Sequence, residues 1–137
     1  MTYKFENLEV WKLALDYTDA IYEIVERLPK EEEFNLKSQL RRSATSIALN
    51  IAEGSTSQTN PEQARFISIS IRSLLETVAC LHMIHRRNYL ANREMLRETY
   101  RSSEMLFAKL QAFRKSLSNA SIRDEQEAYE LDGDVPF

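Results

Sequence analysis

Apolar and small side chains recur three and four residues apart almost without interruption from Leu8 to Leu117, a spacing that dictates helices each burying one face. The first seam runs Trp11, Ala14, Thr18, Ile21, Val25 and Leu28. A second stripe, Val10, Leu13, Tyr17, Ala20 and Ile24, lies about 100° round the same helix and makes its apolar face unusually wide. Pro29 stops this helix, because it lacks an amide proton and biases Leu28 out of the helical region. A narrower stripe of Leu36, Leu40, Ala44, Ile47 and Ile51 marks a second helix from about Phe34 to Gly54, with Gly54 expected as its C-terminal cap.

After the polar loop Ser55 to Thr59, Asn60 is expected to cap a third helix, with Pro61 at its first position and Gln63 reaching back as in a capping box. The seam of that helix is Ile67, Ile71, Leu74, Val78, Leu81 and His85, flanked by Ser70, Ser73, Thr77 and Cys80, whose small side chains let a neighbouring helix come close. Asn88 to Asn92 form a short break. Asn92 then caps a fourth helix with the seam Leu96, Thr99, Ser103, Leu106, Leu110, Phe113 and Leu117. Short connections between four rods, each roughly 30 to 40 Å long, predict an all-α fold: an antiparallel up-down-up-down four-helix bundle over residues 1–117. Two glycines and three prolines in 137 residues leave too few turns for a sandwich or barrel. There is no internal repeat and no low-complexity tract.

Charge divides the chain. Of its 18 basic and 21 acidic residues, the stretch 118–137 holds Arg123 against Asp124, Glu125, Glu127, Glu130, Asp132 and Asp134, a balance of −5 beside +2 for residues 1–117. That acidic stretch reads as a solvated, poorly ordered tail; the sharper alternative is a tail that covers a basic surface. With Cys80 as the only cysteine, no disulfide forms within the chain. No unbroken apolar run exceeds the four residues of Val78 to Leu81, far short of a membrane span, and Met1 to Asn7 has no apolar stretch of signal-peptide type. The expected address is the cytoplasm, with no membrane partner.

Several chemistries lack their parts. A phosphate-cradling loop needs a cluster of glycines, and only Gly54 and Gly133 are present. Di-iron bundles use Glu-x-x-His pairs, but Ala79 precedes His82 by three residues and His82 precedes His85 by three. On a helix, Cys80 and His82 diverge by about 200°, which suits neither a tetrahedral metal site nor a nucleophilic pair with an orienting third residue. No catalytic residue, metal, cofactor or small-molecule substrate is expected, and the chain reads as a non-enzyme.

The basic residues carry more information. Arg93, Arg97 and Arg101 form a ridge on the fourth helix, Arg86 and Arg87 lie just before it, and Arg41 and Arg42 stand on the second. The ridge is either a landing strip for a phosphate backbone or a salt-bridged solvent face, since Glu94 and Glu98 stand three residues before Arg97 and Arg101. Arg42, Ser46, Asn50 and Glu53 make a continuous polar line that either meets a partner or hydrogen-bonds within the assembly. Leu15, Tyr22, Ile69 and Leu75 lie off the main seams, where they either mark an association surface or are buried by wide helix faces.

Three stretches carry a family resemblance: "FENLEVWKLAL" from Phe5 to Leu15, "LPKEEEFNLKSQLRRSATSIALNIAEGS" from Leu28 to Ser55, and "RFISISIRSLLET" from Arg65 to Thr77. In order and spacing they resemble the four-helix-bundle 23S rRNA intervening-sequence proteins, over about residues 3 to 117. Two positions depart from that pattern: Ala48 stands where many members have proline, implying a straighter second helix, and Arg72 where many have glycine. The resemblance implies a bundle that assembles as a homopentameric ring. It also implies a similarity to the accessory variability protein of diversity-generating retroelements, which binds a reverse transcriptase and nucleic acid. Two functions follow as expectations. One is a pentameric scaffold binding RNA, DNA or a nucleic-acid-processing enzyme such as a reverse transcriptase through the seven arginines; the other is a protein–protein interaction module with no nucleic-acid role.

Overall fold

The computed structural model describes residues 1–118 and 134–137. Four helices, α1 (Glu9–Glu26), α2 (Leu36–Gly54), α3 (Asn60–Arg87) and α4 (Arg93–Leu117), are joined by short connections, with 3-10 turns at Lys4–Asn7 and Lys30–Glu32 and no strand among the described residues. The helices pack α1 on α2, α2 on α3, α3 on α4 and α4 back on α1, so the apolar seams meet along one axis. Leu36, Leu40, Ala44, Ile47 and Ile51 of α2 are all buried, as are Ile67, Ile71, Leu74 and Leu81 of α3 and Leu96, Leu106 and Leu110 of α4. Both stripes of α1 reach the core, because this helix touches two neighbours and crosses to a third. The crossing is made by Tyr17. Its hydroxyl lies 2.7 Å from the Thr77 hydroxyl, which in turn donates to the Leu74 carbonyl at 2.6 Å, so Tyr17 is the donor of the first bond. Burial pushes the Tyr17 phenol well above its ordinary range.

The small-residue stripe of α3 sets its closeness to α2. Ser70 donates to the Ile47 carbonyl at 2.9 Å, Ser73 and Ser46 share a bond of 2.9 Å, and Gln39 donates to Glu76 at 2.9 Å. Residue numbers rise along α2 as they fall along α3, so these two helices run in opposite directions. The same order relates α3 to α4, where Ser68 meets Arg114 and His82 meets Tyr100.

Two helix ends differ from the sequence reading. Gly54 is the last residue of α2 and not its cap, a role taken by Ser55 in the right-handed region. A methyl group on Gly54 would stand 2.8 Å from the Phe66 Cβ, so the glycine serves the close approach of α3. At the start of α3, Thr59 and not Asn60 is the cap, because Thr59 is extended and its hydroxyl accepts from the Glu62 amide at 3.2 Å. Gln63 is then one turn inside and buried, its side-chain nitrogen without a partner. Asn92 caps α4 as expected, accepting from the Glu94 and Met95 amides at 3.0 and 3.3 Å. Asn88 ends α3 at φ 59°, a left-handed conformation that asparagine tolerates.

α3 contains a stretch long and apolar enough to cross a membrane, although no apolar run in it exceeds a few residues; half of that stretch is buried by the other helices. Residues 119–133 of the expected tail lie outside the described residues. The expectation of poor order does not extend to the last four: Val135 packs against the core and Phe137 is only 8% exposed.

Candidate functional site

A groove of ≈ 600 Å³ runs along the outward face of α2, with Tyr22 of α1 on one wall. Arg42, Ser46, Asn50 and Glu53 all line it, together with Arg41, so the polar line read from the sequence is one continuous surface. Its middle is tied down within the chain. Ser46 bonds Ser73 across to α3, and the Asn50 side-chain amide donates to the Ser46 carbonyl at 2.9 Å and to its hydroxyl at 3.1 Å. Arg42 donates to the Gln39 side chain, and Arg41 meets the Glu33 carboxylate at 3.2 Å. Hydrogen bonds from Arg41 and then Lys37 hold the Glu33 carboxyl below its ordinary value.

Between these polar groups stand two apolar side chains with no cover. Leu49 is 54% exposed and Tyr22 41%, both in the groove. Leu49 was not among the off-seam residues singled out from the sequence. Its signal was present all the same, as an apolar residue at helical spacing between Ser46 and Glu53. The other off-seam residues, Leu15, Ile69 and Leu75, are likewise exposed, so wide helix faces do not bury them.

The seven arginines occupy three settings. Arg41 and Arg42 belong to the α2 groove. Arg86 and Arg87 line a concavity of ≈ 410 Å³ with Asn35, Leu36 and Met83 at one end of the bundle. There the buried Glu32 carboxylate accepts from the Tyr89 hydroxyl at 2.7 Å, the Asn35 amide at 2.8 Å and the Leu36 backbone amide at 3.3 Å, tying the turn before α2 to the loop after α3. The bond from Tyr89 is the chief reason the Glu32 carboxyl lies below its ordinary value.

The third setting is α4, where Arg93 stands exposed at the first residue of the helix and Arg97 and Arg101 both face Glu94, at 3.7 and 3.6 Å. The partner expected for Arg101 was Glu98, but the arginine reaches back two turns to share Glu94 instead. Arg97 also donates to the main-chain oxygen of Phe137. Cys80 is buried and His82 exposed, as their divergence on the helix requires, and burial pushes the Cys80 thiol up. Among the described residues no three His, Cys, Asp or Glu side chains come together to hold a metal ion.

Fold and groove define a class: an all-α helical bundle whose outward α2 face carries an open groove of mixed apolar and polar lining. The chain belongs to the 23S rRNA-intervening sequence protein family, whose model matches residues 6–112. Among solved structures it is similar to a protein of unknown function from the S23 ribosomal protein family of Bacteroides thetaiotaomicron. The two are 24% identical with a TM-score of 0.70, over 77% of this chain and 98% of that one, a likeness of fold. A search of curated proteins finds no match.

Proposed function

We propose that this chain is a non-enzymatic scaffold that assembles with copies of itself into a closed pentameric ring, the α2 groove forming one half of each contact. The observation that carries this reading is the exposure of Leu49 and Tyr22 inside a groove whose central polar side chains, Ser46 and Asn50, are bonded within the chain. The Ser46 hydroxyl and the Asn50 side-chain nitrogen keep their bonds within the chain when covered, while covering Leu49 and Tyr22 removes apolar surface from water. A ring requires two different faces on each copy, one meeting the other on the next. Leu75 on α3 and Met105 on α4, 50% and 47% exposed and outside the groove, supply apolar surface for the second face.

The arginines support a protein contact over a phosphate one. Arg41 faces Glu33 and Arg97 and Arg101 share Glu94, so three of the seven meet a carboxylate within the chain, and Arg42 is held by the Gln39 side chain. The scaffold is therefore read as a protein–protein module acting in the cytoplasm, without an RNA, DNA or reverse-transcriptase partner. Light scattering tests the assembly: five chains of 16.0 kDa give a particle of about 80 kDa, and a single-chain mass at every concentration would overturn it. Titrating a structured rRNA fragment at about 50 and 200 mM salt tests the rest. No salt-dependent binding is expected, and affinity that falls steeply with salt would restore the phosphate reading.

A further inference from the structure

We propose that the cleft between α3 and α4 at His82 is a recognition site for an aromatic peptide side chain, with the chain's own Asp134–Phe137 segment as its resident ligand. The Phe137 ring stands edge-on to His82 at 5.0 Å and to Tyr100 at 5.2 Å, and lies tilted against His85 at 4.9 Å. Three rings on two helices therefore select the side chain, two of them in the edge-to-face geometry aromatic pairs prefer. Arg97, from the next turn of α4, donates to the main-chain oxygen of the same residue and fixes its register. Side-chain selection beside a main-chain clamp is the pattern of a peptide site, and neither histidine is needed by the buried core.

Chain length permits the occupant to come from the same molecule. Back from Ser118 to Arg97 is 21 helical residues, about 32 Å, while the 16 residue steps from Ser118 to Asp134 span up to about 55 Å. A tether of this kind supplies an effective concentration on the order of millimolar, so even a weak ligand stays seated. Nothing in this assignment depends on self-association or on what the α2 groove meets.

The test uses the full chain and the ring-proton signals of His82 and His85. Phe137→Ala should move both signals, and Phe137→Tyr, which keeps the ring, should leave them near their wild-type positions. A synthetic Asp-Gly-Asp-Val-Pro-Phe peptide added to the Phe137→Ala protein should return the signals saturably at about millimolar concentration, and act at least about tenfold more weakly on wild type, whose site is filled. The same peptide ending in alanine should do nothing. Identical histidine signals in wild type and Phe137→Ala, or equal action of the two peptides, would overturn the site. Wild-type signals that drift toward those of the variant on dilution would overturn occupancy in cis and assign the ligand to a second copy.

Discussion

The outward faces of α2 and α4 look alike in sequence, each carrying arginines beside acidic or amide partners, yet they end in opposite conditions. On α4, Arg97 and Arg101 share Glu94, and Arg97 also clamps Phe137, so the face closes on its own chain. On α2 the central polar groups, Ser46 and Asn50, are also bonded within the chain, but they frame Leu49 and Tyr22, which nothing covers. Arginine spacing therefore says little about what a helix meets. The informative feature is the apolar surface left over once the charges have found partners.

That contrast can be broken from either side. The largest effect on stability is expected where α2 is pressed onto α3. Gly54→Ala puts a methyl 2.8 Å from the Phe66 Cβ and should cost about 1 to 3 kcal/mol in chemical denaturation, because backbone must move. Tyr17→Phe removes the hydroxyl that donates to Thr77 and loosens the helix that brings Tyr22 to the groove; its cost should be about 1 kcal/mol by the same measurement. Acid should act next. Glu32 and Glu33 both have carboxyls held below the ordinary 4.5, so their bonds favour the fold fully above that value and are lost as pH falls through their folded values. Denaturation midpoints followed from about pH 6 to about pH 3 should fall, and Tyr89→Phe, which removes the main cause at Glu32, should make the fall shallower. Smallest is Glu94→Gln on the exposed face of α4, expected to cost about 0 to 1 kcal/mol and less at high salt.

Much of the bundle was legible because burial repeats with the helix. The seams of α2 and α4 enter the core almost residue for residue, and Ser70 and Ser73 of α3 face α2 as their size suggests, while Thr77 meets Tyr17 of α1. What escaped were contacts between residues far apart in sequence. Phe137 meets Arg97 across 40 residues and Tyr89 meets Glu32 across 57, and no local period records either. The composition of the final stretch pointed to a tail because its charges dominate it, while the short apolar end, Val135-Pro136-Phe137, carried the opposite message in three residues. The α2 line was visible as a line, but the exposed Leu49 within it gained meaning only beside Tyr22 of α1, a neighbour no local period records.

The claim that the α2 face, and not the α4 ridge, holds the assembly together is tested most directly by weighing two variants side by side. Light scattering at equal concentration should find Leu49→Glu reduced to the 16.0 kDa chain, because a carboxylate cannot be buried unpaired in the contact, while Arg101→Glu keeps the mass of about 80 kDa. If Leu49→Glu retains the wild-type mass while Arg101→Glu falls apart, the assignment of the two faces is contradicted.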